Sequence, residues 1–387
     1  MTKIIHILPH NLEDFMAGGY ENFDHHSVRF IERVNTFWKM KHGEQIEQEL
    51  WILTTNAKMK EFFHTKGFRV RLFPVSLALP LPLEISFSLL KAVWREKKEK
   101  GTIWHLHSYY LFMNDLISVL LAFKKAKFVV HHRGGGPSWT SKAFLYTIYH
   151  YVFGLRLTLR LAQCVFVQNH DEERRLKNFL KLKNHKVMYF PNTVSEKYIR
   201  ENQGTLYRGS EGNNTKMIVA GRIEKILFSS GLEAIDHVLS QHDRFSLEVV
   251  GLKRNIEELE KLSSKYQNRI QLTGWLGRTE LLDRLRNSNI FFHINNKDEG
   301  SPMALIEAQS QGLPAIGFDI DGVRDIIRHG YNGFLIKDIH ELDHIIDKIS
   351  DDSKLLKTMS EHSRRNIKEY FIDEIYFPHL IHIYSSL

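Results

Sequence analysis

Short runs of apolar, β-branched and aromatic residues recur along the whole chain, separated by longer stretches with helical spacing, and this alternation leaves few folds open. In the first half the runs are Lys3–Leu8, Leu50–Thr54, Phe68–Phe73, Ile103–His107, Phe128–His132, Cys164–Gln168 and Val187–Phe190. In the second half they are Lys216–Ala220, Ser246–Val250, Arg269–Thr273, Ile290–Ile294, Pro314–Phe318 and Gly333–Ile336. Most are apolar throughout, as strands are when helices cover both faces of a parallel sheet. Helical patterns over Leu83–Lys98, Lys142–Leu161, Asp171–Leu182, Asn255–Tyr266, Thr279–Arg286, Met303–Gln311, Val323–Arg328 and Leu355–Phe371 fill many of the intervals. Strand–helix–strand order of this kind predicts an α/β fold with parallel sheets.

The order breaks between Phe190 and Lys216, where polar, glycine-bearing residues from Glu201 to Asn214 read as a linker. Two doubly wound domains are therefore expected, 1–200 and 216–370, joined through 201–215. With 387 residues in all, each can bury its own core. The final stretch, Arg365 to Leu387, is aromatic and carries Pro378, which predicts a kinked terminal helix.

Composition narrows the function classes. The apolar share of 43% and charged share of 25% are those of an ordinary globular protein. A single cysteine, Cys164, excludes an internal disulfide and a multi-thiolate zinc site. It lies in an apolar run, reads as a small buried hydrophobe and points to a reducing compartment. No stretch reaches the ~18 apolar residues that span a bilayer; the best, Leu111 to Phe123, is interrupted by Asn114 and Asp115. The opening Met1–Leu8 reads as a first strand and not a signal peptide. The net charge is +8, but basic residues are dispersed and no nucleic-acid motif occurs, so phosphate ligands or an anionic membrane surface are the expected partners and nucleic acid is not. His105 and His107 share one strand face. A metal pair is one reading; with no third ligand at metal-site spacing, a packed or acceptor-facing role is expected for them instead.

The chemistry concentrates after the run ending at Ile294. Glu299-Gly300-Ser301-Pro302-Met303-Ala304 leads into a helical pattern closed by Gly312-Leu313-Pro314. Ser301 suits the N-cap, Pro302 the first helical position and Gly312 the C-terminal cap. Ligands of doubly wound sheets bind beyond the carboxyl ends of the strands. The amides near Met303 and Ala304 would there form a phosphate site. Glu307, little more than one turn into the helix, suits ribose hydroxyls, and Glu299 on the loop lies where a transferred sugar would sit.

Glu299 and Glu307 with the seven residues between them resemble the Glu-x7-Glu motif of retaining GT-B glycosyltransferases of family four, the glycosyl transferases group 1. Ala220-Gly221-Arg222-Ile223, Leu272-Thr273-Gly274-Trp275-Leu276, Asp321–Ile327 with Gly330–Leu335, and Phe190-Pro191-Asn192-Thr193-Val194 are similar to further family signatures. Arg133-Gly134-Gly135 after His132 resembles capsule and exopolysaccharide members. The likeness covers the C-terminal half closely and the N-terminal half more thinly. It implies two Rossmann-like domains facing a cleft, with a C-terminal helix, 371–387, crossing back to the acceptor domain. It implies a UDP- or GDP-linked sugar donor, transfer with retention, and a glycan or lipid-linked glycan acceptor. Arg222 and His132 would join Glu299 in catalysis. Gly18, Gly19, Gly274, Trp275, Ser301, Pro302, Met303, Ala304 and Glu307 would bind the donor. The family's usual lysine position is Leu227 counted from Arg222, or Ser230 counted back from Gly231, and Lys225 stands close by as the substitute cation. No Asp-x-Asp motif follows a strand convincingly, so neither a metal nor another cofactor is expected. The expected location is cytoplasmic, peripheral at the cytoplasmic face of a membrane. The alternative is a catalytically inactive nucleotide- or glycan-binding protein of the same fold.

Overall fold

The computed structural model describes residues 2–11, 23, 25–55, 58–78, 84–97, 101–108, 111–132, 155–180, 186–199, 215–221, 231–252, 256–297 and 299–387. The chain forms two compact units, 1–190 with Tyr376–Leu387, and Pro191–Ile375.

The first unit is built on strands β1 (Lys3–Asn11), β2 (Glu47–Thr54), β3 (Lys60–His64), β4 (Phe68–Pro74), β7 (Thr102–His107), β8 (Lys127–His131), β9 (Cys164–Val167) and β10 (Val187–Tyr189), with β5 (Leu77–Ala78) and β6 (Glu84–Ile85) as a separate two-stranded pair. Its order is β10-β9-β8-β7-β1-β2-β4-β3. Within this eight-stranded sheet all pairs are parallel except β3 with β4. Helices α1 (His26–His42), α2 (Phe87–Arg95), α3 (Phe112–Phe123), α4 (Leu155–Leu161) and α5 (His170–Leu180) belong to this unit. Alternate residues of each strand feed opposite faces. Ile5, Ile7, Trp104, Leu106, Phe128 and Val130 pack with Leu89 and Val93 of α2 and Met113, Ile117 and Leu121 of α3. Ile4, Ile103, Val129, Cys164 and Phe166 pack with Phe30, Val34 and Trp38 of α1.

The second unit holds β11 (Thr215–Ala220), β12 (Phe245–Leu252), β13 (Ile270–Gly274), β14 (Ile290–His293), β15 (Ala315–Phe318) and β16 (Gly333–Ile336) in the order β13-β12-β11-β14-β15-β16, parallel throughout. Its helices are α6 (Gly231–Gln241), α7 (Glu257–Tyr266), α8 (Arg278–Arg286), α9 (Met303–Ser310), α10 (Glu341–Asp351) and α11 (Ser353–Tyr370). Helices α6, α7 and α10 cover one face, α8 and α9 the other, and α11 contributes residues to both cores. The last helix, α12 (Asp373–Ser386), begins in this unit and contributes Phe377, Leu380, Ile381 and Tyr384 to the core of the first.

Several elements differ from the sequence reading. Pro191–Ile199 belongs to the second unit, because Val194 bridges to Ile372 and Thr193 Oγ1 donates to Asp373 Oδ1 at 2.6 Å. Val323–Arg328 forms turns and not a helix: Asn332 ties that segment down by donating to Ile326 O and accepting from Arg328 N. The terminal helical stretch is interrupted at Phe371–Ile372, not at Pro378, which lies inside α12. Trp94 of α2 is 60% exposed. Asn114 and Asp115, which break the apolar run Leu111–Phe123, are buried in α3; Asn114 Nδ2 donates to the carbonyls of His107 (2.7 Å) and Ser108 (2.8 Å). Among the described residues, no helix is long and apolar enough to cross a membrane.

Candidate functional site

The order of the second sheet reverses at β11, which lies between β12 and β14. Ligands of such sheets bind outside the carboxyl ends of the strands at that reversal. From β14 the chain reaches α9 at Met303 through the loop bearing Glu299. The helix N-cap is Pro302 (φ −66°, ψ 112°), not Ser301, and no side chain caps the helix. The φ of Pro302 is a helical value, but its ψ is extended, so helical backbone begins one residue later than expected, at Met303. Ser301 Oγ is therefore left buried without a hydrogen bond among the described residues. Ile306 N is the first amide to bond back, to Pro302 O at 3.2 Å. The amides of Met303, Ala304 and Leu305 are helix-terminal donors with no intrahelical acceptor. The other end closes at Gln311, the C-cap, with Gly312 following at φ +86°.

Two contacts hold this loop. Asn192 Nδ2 donates to Ser301 O at 2.5 Å. Gly322, at φ +81°, sits so close that a Cβ there would stand 1.6 Å from Gly300 O and 2.6 Å from Glu299 O. Only glycine permits that backbone approach and that φ.

Each carboxylate has a partner that sequence spacing does not reveal. Glu299 Oε1 lies 2.5 Å from His293 Nε2, at the end of β14. Glu307 is 5% exposed, and its Oε1 lies 3.5 Å from the Arg278 guanidinium, which also stacks 4.2 Å from the ring centroid of Tyr198. Arg278 follows Trp275 by three residues, so the ion pair ties the Gly274–Arg278 segment to α9. Trp275 itself is 51% exposed. A Cβ at Gly274 would meet nothing within 4 Å, so no steric demand for glycine exists there. At the ends of β11 and β12 a Cβ on Gly251 (φ +104°) would lie 2.2 Å from Gly221 O. Arg222 and Lys225, one and four residues past Gly221, lie outside the described residues, as do Gly18 and Gly19.

In the first unit the sheet reverses at β1, between β7 and β2, and β8 lies beside β7. His132 follows β8, with Nδ1 2.8 Å from Glu172 Oε1 and both side chains buried. Glu172 is fixed in turn: its Oε2 accepts from Gln168 N at 3.0 Å, and its own amide donates to Asn169 Oδ1 at 2.7 Å. His131 turns to the opposite face, among Phe30, Phe166 and Phe190. A separate cavity of about 490 Å³ in the second unit is lined by Glu233, His237, Asn296, Asp319 and Lys337 among others; Glu299, Ser301 and Glu307 do not line it.

Glycosyl transferases group 1 matches residues 208–366, and the glycosyl transferase 4-like domain matches 46–193. The chain is 28% identical over 296 residues to the UDP-Gal:alpha-D-GlcNAc-diphosphoundecaprenol alpha-1,3-galactosyltransferase of Escherichia coli, covering 71% of this chain and 73% of that one. It is 24% identical over 351 residues to an uncharacterized glycosyltransferase of Methanocaldococcus jannaschii, covering 86% and 88%. Among solved structures, Anabaena HepE in complex with UDP and glucose superposes with a TM-score of 0.73 at 13% identity over 100% of both chains. Sucrose-phosphate synthase from Thermosynechococcus elongatus gives 0.73 at 14% identity, over 100% of this chain and 99% of that one. With its two Rossmann-like sheets, the fold is GT-B, and the chain belongs to the glycosyl transferases group 1 family, carrying a glycosyl transferase 4-like domain in its first half.

Proposed function

We propose that this glycosyltransferase moves a sugar, with retention and without a metal ion, from a UDP- or GDP-linked donor to a glycan or lipid-linked glycan at the cytoplasmic face of a membrane. The observation that carries the reading is the α9 N-terminus, with its unbonded Ser301 hydroxyl, between two oriented carboxylates. The donor diphosphate then accepts from the Met303 and Ala304 amides, and the helix end stabilises charge as the phosphate leaves. Glu307 accepts from the ribose hydroxyls, Trp275 stacks on the base, and Glu299 stands beside the transferred sugar. The acceptor hydroxyl attacks from the face the diphosphate is leaving and gives its proton to the departing phosphate oxygen. Arg222 and Lys225 pair with the diphosphate, and His132, oriented by Glu172, contacts the sugar. The Escherichia coli relative, named for a diphosphoundecaprenol-linked GlcNAc acceptor, supports the choice of a lipid-linked acceptor.

A membrane surface is supported by one stripe of α2, where Phe87 and Trp94 are 62% and 60% exposed and the exposed Lys91 and Arg95 accompany them. Each basic residue near an anionic bilayer adds about 1 kcal/mol. Binding to anionic vesicles that weakens with salt is expected; equal recovery with neutral vesicles refutes the electrostatic part.

The decisive experiment is a donor screen with UDP- and GDP-sugars and a polyprenyl-diphosphate-linked sugar acceptor, in excess EDTA, with the product's anomeric configuration read by NMR. Transfer with retention is expected. An inverted product refutes the mechanism, and loss of transfer on chelation that manganese restores refutes metal independence. Leu227 at the family's lysine position favours a second reading, a donor-binding protein without activity; donor binding with neither transfer nor hydrolysis would select it.

A further inference from the structure

Four histidines from three adjacent strands meet on one face of the first sheet. His6 of β1 is in register with His105 of β7, and His107 with His131 of β8. All four are buried, with His6, His105 and His107 fully so. The rings of His105 and His107 stack at 4.2 Å between centroids, and His6 lies 5.4 Å from each. None of them belongs to the donor machinery described above.

We propose that His6, His105 and His107 form a structural site for a transition-metal ion of the imidazole-preferring class, with Zn²⁺ as its reference occupant. One ligand nitrogen from each ring lies within 4.8 Å of the others. His6 Nδ1 and His107 Nε2 are 3.2 Å apart. Two nitrogens at ~2.0–2.1 Å from one tetrahedral ion stand at about that separation. The pattern, two imidazoles two residues apart on a strand and a third on its neighbour, puts all three on one side without backbone rearrangement.

The surrounding groups orient the rings as outer partners of metal-bound histidines do. Gln48 Nε2 donates to Ile31 O at 3.1 Å, so its Oε1 is the accepting end, 3.0 Å from His6 Nε2. His6 therefore carries its proton on Nε2 and presents the lone pair of Nδ1 to His107. Without metal, His107 Nε2–H donates to that lone pair. The ion replaces this proton, which moves to His107 Nδ1 or to solvent. His105 Nδ1 is bonded to Tyr384 Oη, so a third ring is held by α12. The set contains no carboxylate or thiolate, which selects against Mg²⁺ and Ca²⁺. An exogenous hydroxide or anion would fill the fourth position. Bound metal would join β1 and β7 and, through Tyr384, secure α12 on this face.

The test uses the untagged full chain. After loading with Zn²⁺ and exhaustive desalting, elemental analysis should find one ion per wild-type chain more than in His107→Gln. His131→Gln, which alters the same stack but none of the three ligands, should retain it. Zn²⁺ but not Mg²⁺ should raise the thermal midpoint of wild type and leave that of His107→Gln unchanged. Equal zinc in wild type and His107→Gln would assign the uptake to surface histidines and overturn the proposal, as would no retained zinc in wild type. If His107→Gln does not fold, Co²⁺ added to wild type decides: an intense visible d–d spectrum supports the four-coordinate site, and a weak octahedral spectrum overturns it. Donor binding is measured alongside, so failure of the metal site leaves the glycosyl-transfer reading intact.

Discussion

Glu307 illustrates what a single residue can carry. It is buried and salt-bridged to Arg278, and in the proposed donor site it accepts from a nucleotide's ribose. A hydrogen bond to a charged group is worth about 1.5–3 kcal/mol, so Glu307→Ala should raise the nucleotide dissociation constant roughly tenfold to 150-fold. An unchanged constant in a calorimetric titration removes Glu307 from the site. Gly322 acts by what it lacks. Gly322→Ala would drive a methyl into the carbonyls of Gly300 and Glu299 at a positive φ, at a cost of at least about 2 kcal/mol. The thermal midpoint should fall by roughly 4 °C or more, with loss of donor affinity because the displaced loop bears Glu299. A midpoint and affinity within error of wild type would show that the loop yields freely. The spacing of Glu299 and Glu307 was legible in the sequence. Their partners were not: His293 and Arg278 reach them from the end of β14 and the start of α8, and only folding brings those ends to α9. Glu172 beside His132 was missed for the same reason, since it stands among charged residues of an amphipathic helix with no local mark.

At the scale of elements, parallel strands were easy to read, because burial on both faces makes them apolar from end to end. Helices were read less evenly. α1, α3, α6 and α10 were not anticipated, although Val28, Ile31, Val34 and Trp38 of α1 bury one face at helical spacing. α3 was obscured by Asn114 and Asp115, whose Nδ2 and Oδ1 atoms find hydrogen-bond partners inside the protein. The edge strand β3 and the β5–β6 pair also escaped notice, because they are short and largely exposed. The interruption at Phe371–Ile372 arises from bridging to Val194 and not from proline chemistry. Helix α12 contributes Phe377, Leu380, Ile381 and Tyr384, all nearly inaccessible, to the first core. Leu380→Ala should cost about 2–5 kcal/mol, and a chain ending before Tyr376 should leave the first unit unfolded. Circular dichroism melts check both; a truncated chain that melts like wild type would show that α12 is dispensable.

At the scale of the whole molecule, each of the two units has its own core, so denaturation need not be a single transition. Cys164 is the only cysteine and sits in the first unit beneath α1 and α12. Burial pushes its thiol up to about 12, against smaller opposing effects from a backbone hydrogen bond and the Lys186 charge. The thiolate is the reactive form, so alkylation at pH 8 should be very slow in the native protein and accelerate in the denaturant range where the first unit opens. Rapid labelling without denaturant would contradict the burial. Periodicity and turn chemistry were enough to establish the α/β class, the parallel strands and the loop and helix that carry Glu299, Ser301 and Glu307, because these depend on neighbours a few residues apart. Where the second unit begins, which carboxylate meets which cation, and that His6 completes a triad with His105 and His107 were decided by tertiary structure alone. Strand order and register bring together residues far apart in the chain, and local propensity contains no term for that pairing.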